Sequence, residues 1–385
     1  MLTSTRLSLR QQRRLPFPAC SCRLISVLFL GSDNVSLPTL KALHGALSPA
    51  SPPGASHITS LGVLCPGTRP MGRGQAATAL PVAQYALAQG LPCLQVPYGT
   101  RDLTAPGFWG ALQGFLGGYD LGVVVSFGYM LPAALLAGLP LGAINLHPSA
   151  LPRHRGAAPV PHTLLAGDAA TAVSIIEVHP TRMDAGAILA QRHVPIGPTL
   201  AAPALTAQLA ELGAADMLHT VLNLAAARAA ARVQEEAAAT RAPKLKPEHG
   251  RVAWASATAP QLLRMDRAYQ GSSGLHCQVQ GPGSSSSSGG AATAGRVKLL
   301  ELGEALPEAL ALLPRLHPPP GSLVHLGTGA GAGRQRQLYV ATCEGGWVEV
   351  KQLQLEGKTA VSGAVYALGR QAPSTGVTAL DTVLV

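Results

Sequence analysis

Four short runs in which apolar residues predominate constrain this chain most: Leu24–Leu30, Ile58–Leu64, Leu121–Ser126 and Val173–Val178. Each is too short for a buried helix and too apolar for a strand with one wet face, so each predicts a strand covered on both sides. Helical spacing fills the gaps between them. Val35, Leu37, Leu40 and Leu43 follow the first run, Ala76–Gly90 predicts a helix closed by its glycine, and Phe108–Leu116 predicts another. Pro92–Val96 reads as a short strand and Ser48–Ser56 as loop. This alternation specifies a doubly wound, Rossmann-like α/β domain with a parallel sheet.

The texture then changes. An Ala/Leu pattern from Leu205 to Val233 predicts a long helix, broken at Thr240-Arg241-Ala242-Pro243. Beyond Lys244 the runs Gly295–Leu300, Gly321–Leu326, Gln337–Thr342 and Gly346–Leu353 are short, β-prone and bounded by Gly or Pro, as in a small OB-like barrel. Gly281–Gly290, with five consecutive serines, reads as a low-complexity loop. The expected organisation is a leader over 1–23, an α/β domain over 24–210, a helical linker over 211–243 and a barrel domain over 244–385.

Composition bounds what such a chain can do. With 47% hydrophobic and 12% charged residues it can bury a core and is neither a coiled coil nor an acidic tail. The net charge of +10 is uneven, since Arg6, Arg10, Arg13, Arg14 and Arg23 precede the first strand with no acid among them. That stretch has the make-up of an organelle transit peptide, for the mitochondrial matrix or the plastid stroma. No apolar run approaches the ~18 residues of a membrane span, so no membrane partner is expected. The six cysteines show no disulfide framework.

The densest polar segment is Gly142–Pro159. A strand over Ala143–Leu146 puts Asn145 and His147 on one face at its carboxyl end, where open α/β sheets bind ligands. An amide there can donate to a developing oxyanion while an imidazole moves a proton. Either residue alone is more often structural; the pair followed by a Pro- and Gly-punctuated loop favours function. A histidine base needs an orienting acceptor, and Asp184 is the only acid between Glu177 and Glu211, although an Asx-turn explains it equally well. Gly327–Gly333 has no helix after it and reads as a hairpin tip, not a nucleotide loop. His154 and His162 lack metal-ligand companions, so no metal is expected. Arg69 and Arg73 on a Gly/Pro loop, and six basic residues across Arg241–Arg267, suit a phosphate backbone or an ordinary solvated surface.

Together these residues resemble the methionyl-tRNA formyltransferase family. Its core motif stands here as Asn145-Leu-His147-Pro-Ser149-Ala150-Leu151-Pro152-Arg153-His154-Arg155-Gly156-Ala-Ala-Pro159, its Asp-Thr-Gly as Asp184-Ala185-Gly186, and its basic loop as Arg69–Gly74. Ala242-Pro-Lys244 and Leu355–Gly363 extend the likeness into the second half, while Ala150, His154 and Ala185 depart from the usual pattern. The resemblance implies formyl transfer from 10-formyltetrahydrofolate to the α-amine of initiator methionyl-tRNA by a monomer, without a covalent enzyme intermediate. An α-amine titrates near ~7.7, so a base of histidine strength suffices. It further implies Asn145 at the oxyanion, His147 as proton carrier and Asp184 as its orienting group. Folate would lie against Ser149, Ala150, Leu151 and Pro152, and tRNA against Arg69, Arg73, Lys244 and Lys246. The rivals are a formyltransferase or hydrolase of the same fold acting on an amino sugar or glycinamide ribonucleotide, or an idle folate- or RNA-binding protein.

Overall fold

A computed structural model describes residues 24–47, 57–71, 76–280, 295–313, 317–328, 335–369 and 376–384. The arginine-rich stretch over 1–23 expected as a leader, the expected loop over 48–56, Arg73, the serine run and residues 329–333 of the expected hairpin tip lie outside the described residues.

The first half is built from β1 (Leu24–Gly31), α1 (Leu37–Gly45), β2 (His57–Pro66), β3 (Arg69–Met71), β4 (Ala76–Thr78), α2 (Pro81–Ala88) and β5 (Cys93–Val96). There follow α3 (Pro106–Leu116), β6 (Leu121–Val125), α4 (Ala133–Ala137), β7 (Ala143–His147), α5 (Pro159–Ala166), β8 (Ala170–Glu177) and β9 (Ile188–Pro195). Seven of these strands form one sheet in the order β5-β2-β1-β6-β7-β8-β9. The two-residue period of β1 divides the core. Ile25, Val27 and Phe29 pack with residues of α1 and α2, whereas Leu28 and Leu30 pack with residues of α3 and α4. Both faces are therefore covered, as the apolar runs demand.

The expected all-parallel sheet needs correction at one edge. β5, β2, β1, β6 and β7 are parallel, but β8 runs antiparallel to both β7 and β9. No helix separates β8 from β9, so these two strands reverse directly on one another, and β8 also enters the sheet reversed beside β7. The helix expected from Ala76 begins only at Pro81, because a proline fits the first helical turn and disfavours helix in the residue before it. Ala76–Thr78 instead pairs with Arg69–Met71.

The long helix expected over Leu205–Val233 is α6 (Ala202–Leu222) followed after Asn223 by a short α7 (Leu224–Ala229). The chain then leaves helix because Arg232 bonds both ways with the backbone of Ile188, extending the β9 edge. From there residues 232–242 run as a strap along the carboxyl side of the first sheet.

The second half comprises α8 (Ala259–Tyr269), β10 (Leu275–Gln280), β11 (Arg296–Glu304), α9 (Pro307–Leu312), β12 (Ser322–Thr328), β13 (Gln335–Ala341), β14 (Trp347–Leu355), β15 (Val361–Ser362), α10 (Gly363–Gly369) and β16 (Gly376–Leu384). Its strands run β11-β10-β16-β12-β13-β14, and pairing of β14 back to β11 closes a six-stranded antiparallel barrel. β12 and β13 form the hairpin expected on either side of Gly327–Gly333. One continuous apolar core runs from Ile25 in the first sheet to Leu384 in the barrel.

Candidate active site

β7 carries Asn145 and His147 to the carboxyl edge of the five parallel strands. Ile144 and Leu146 point into the core, so Asn145 and His147 share the opposite face. His147 is buried; Asn145 is half-buried, and no described residue hydrogen bonds its side chain. The Nδ1 atom of His147 lies 3.7 Å from Asp184 Oδ2, and its Nε2 lies 2.9 Å from the carbonyl oxygen of His154. Asp184, read from sequence with an Asx-turn as its rival, thus does face the imidazole. Its backbone is in the left-handed region at φ 52°, and Oδ2 accepts the Gly156 N–H at 2.9 Å.

The loop after β7 is anchored from beneath. Ser174 on β8 donates to the Ser149 carbonyl at 2.7 Å, Gln191 on β9 donates to the Leu151 carbonyl at 3.0 Å, and Ser149 Oγ donates to the Arg153 carbonyl at 2.7 Å. Of the four folate candidates, Ser149 and Leu151 are therefore buried inside the loop, whereas Ala150 and Pro152 are half-buried on its surface.

The strap supplies what sequence reasoning missed. Buried Gln234 donates through Nε2 to the carbonyls of Asp184 and Gly186, each at 2.8 Å, and its Oε1 accepts from Nε and Nη2 of Arg155. One amide thereby ties the Asp184 turn to the loop after β7. Thr240 Oγ1 accepts the His154 N–H at 2.8 Å, and Ala242 exchanges backbone bonds with Arg155 and Ala158. Gly156 is required here: at φ 130° its absent Cβ would stand 2.5 Å from the Ala242 carbonyl oxygen. Arg155 and Arg182 both reach Glu236, and the Arg155 guanidinium foremost holds that carboxyl below its ordinary range. Gln234 has no local sequence signal; its role exists only because the strap returns to the sheet.

The basic candidates lie elsewhere. Arg69 is exposed on the β3–β4 hairpin at the carboxyl end of β2, three strands from β7 in the sheet order, or about 14 Å at the usual strand spacing. Lys244 and Lys246 are exposed just past the strap, Lys246 beside Glu248 at 3.7 Å. Among the described residues no His, Cys, Asp and Glu cluster could hold a metal ion, and no helix is long and apolar enough to cross a membrane.

A buried imidazole beside a carboxylate, with an uncommitted amide on the same strand, is equipped for acyl transfer to an amine. Comparison with known proteins agrees. A formyl transferase model matches residues 27–222 and a formyl transferase C-terminal domain model matches residues 244–371. The mitochondrial methionyl-tRNA formyltransferase of Homo sapiens is 34% identical over 86% of this chain and 74% of its own length. The methionyl-tRNA formyltransferase of Synechococcus sp. (strain JA-3-3Ab) is 32% identical over 90% and 95%. A crystal structure of a sugar 3N-formyl transferase in the presence of dTDP and 5-N-formyl-THF shares the fold, with a TM-score of 0.51 at 12% identity over 87% of this chain and 99% of that one. On both domain matches and on relatives that align along most of their length, the chain belongs to the formyltransferase family, among the methionyl-tRNA formyltransferases.

Proposed function

We propose that this enzyme transfers the formyl group of 10-formyltetrahydrofolate to the α-amino group of initiator methionyl-tRNA. The observation that carries the reading is the His147–Asp184 pair beside the free Asn145 amide at the ligand-binding edge of the sheet. The amine nitrogen attacks the formyl carbon, a C–N bond forms, and the carbonyl electrons move onto oxygen, where Asn145 donates a hydrogen bond. His147 takes a proton from the attacking nitrogen and returns it to N10 of the folate as the old C–N bond breaks. Asp184 faces Nδ1 of His147 and orients the imidazolium once the proton has been taken up. The chemistry so written needs no metal.

Folate packs on the loop surface formed by Ala150 and Pro152, shaped from inside by Ser149 and Leu151. Arg69, Arg73, Lys244 and Lys246 contact tRNA phosphates. Catalysis belongs to residues 24–210, the connection to 211–243 and tRNA docking to 244–385. The mitochondrial relatives and the arginine-rich 1–23 segment support work in the mitochondrial matrix, with the plastid stroma as the other organellar setting. The enzyme acts as a monomer.

The test is direct. Purified protein given 10-formyltetrahydrofolate and methionyl-tRNA should yield formyl-methionine on the tRNA, dependent on both substrates. Formylation of an amino-sugar nucleotide or glycinamide ribonucleotide with no product on tRNA would overturn the proposal.

A further inference from the structure

His154 and Asp168 form a second buried histidine–carboxylate pair next to the site, and nothing in the reaction above uses it. Their side chains are 6% and 20% exposed, with His154 Nε2 2.7 Å from Asp168 Oδ2. A carboxylate only accepts in this contact, so the His154 ring donates. The other Asp168 oxygen, Oδ1, accepts from Arg153 Nη2 at 2.6 Å, so both oxygens are committed. Asp168 itself is set by the end of α5, its N–H bonding the Thr163 carbonyl after Gly167 at φ 73°. It is a fixed post.

The consequence falls on the His154 backbone. His154 sits at φ 60°, which side chains with a Cβ rarely adopt without support. Support comes from the ring, held by Asp168, and from the N–H, held by Thr240 Oγ1 at 2.8 Å. Between these two ties, the His154 carbonyl is aimed at His147 Nε2, 2.9 Å away. A carbonyl oxygen can only accept, so Nε2 of His147 must carry the hydrogen. Nδ1 is then the nitrogen left to take up a proton, and it is the one facing Asp184 at 3.7 Å.

We infer that Asp168 and His154 are positioning residues for the formyl transfer: they aim a backbone carbonyl that locks His147 as the Nε2–H tautomer and assigns proton traffic to Nδ1. This rests on the proposed acid–base role of His147. It differs from that role in naming which nitrogen works and what enforces it. In the family of histidine bases held by an acceptor, the acceptor normally sits on the nitrogen opposite the working one, and here a main-chain oxygen takes that place.

The experiment combines ring-nitrogen NMR with kinetics on the full chain. Protein labelled with 15N-histidine, with the His147 signals assigned by their loss in His147→Gln, reports the tautomer from one- and two-bond couplings. Wild type should show His147 protonated at Nε2 in the neutral form; protonation at Nδ1 instead would overturn the inference without any variant. Asp168→Ala should mix the two tautomers and lower kcat by about tenfold or more, with the KM for 10-formyltetrahydrofolate within about twofold, as expected when a base is misoriented. Asp168→Asn keeps an acceptor for the His154 ring, so it should hold the wild-type tautomer and stay within about threefold of its kcat. An unchanged tautomer in Asp168→Ala, a loss confined to KM, or an Asn variant as impaired as the Ala variant would each overturn the assignment. The tautomer is read without substrate, so a wild type that shows Nε2–H but fails to formylate methionyl-tRNA refutes the proposed function and not this geometry.

Discussion

Asn145 stands two residues before the end of β7, and its amide is claimed by no side chain or backbone group among the described residues. An uncommitted half-buried donor beside a buried imidazole can be reserved for charge that develops only during reaction. Asn145→Ala should therefore lower kcat by roughly 10²-fold, about 3 kcal/mol at the transition state, and leave the KM for the formyl donor nearly unchanged. Steady-state kinetics at varied donor concentration check this, and an effect confined to KM would reassign Asn145 to ground-state binding. Asn145 and His147 were legible because a two-residue period at a strand end places them together from sequence alone. Asp184 was legible only as an isolated acid, since its approach to His147 depends on a turn at φ 52° that spacing does not encode. Gln234 was not legible at all. A glutamine that clamps three partners from 48 to 79 residues away is defined by tertiary return of the chain, not by its neighbours.

At the scale of elements, the central strands announced themselves because burial on both faces leaves an uninterrupted apolar run, as in β6, all of whose residues are buried. Elements with mixed faces did not. α8 is amphipathic and polar on average, and Asp266 on its buried side would be misread as a surface charge. That carboxylate accepts from Gln270 and from the Leu302 N–H, where β11 departs from regular pairing with β14. Burial, ahead of the repulsion from Glu301, pushes its pKa up to about 6. The unfolded chain ionises this group near ~3.9, so between the two values the folded state holds a proton that the unfolded state has lost. Stability from this site is therefore greatest below pH ~4, falls as pH rises toward about 6, and is level above it. Asp266→Asn removes the charge and keeps an acceptor for Leu302. It should match wild type near pH 4 and exceed it at pH 7.5 by at most about 3 kcal/mol. Urea unfolding at the two pH values checks this, and an equal difference at both would show that ionisation of Asp266 is not the cause.

For the whole molecule, the charge that a polyanion would meet is assembled across strands as well as along the basic run. In the run Arg241–Arg267, Arg264 lies half-buried against Gly167, and Arg267 is half-buried, with desolvation and then Arg264 holding its pKa below the ordinary value. Cations far apart in sequence also meet on the outer barrel. His276 pairs with Lys298 on β11, Gln278 with Arg296, and Arg251 bridges to His276, leaving Arg251, Arg296 and Lys298 exposed together. Burial chiefly, then the field of Arg296, Arg251 and Lys298, holds His276 below its ordinary pKa, as a cluster of one sign should. If this face carries the tRNA backbone, neutralised phosphates release counterions and binding weakens steeply with salt. Replacing Arg251, Arg296 and Lys298 together by serine should then flatten the slope of log K against log salt by about 2–3 between ~50 and ~200 mM. KM for methionyl-tRNA should rise while kcat at saturation stays near wild type, because these residues follow the strap and touch none of the groups around His147. Arg69→Ser, on the hairpin beside the first sheet, should flatten the slope by only about 1. Fluorescence titrations of methionyl-tRNA across that salt range measure both. A triple variant with the wild-type slope would mean that this barrel face is not where the tRNA lies, and would leave the β3–β4 hairpin and Lys244–Lys246 to account for binding.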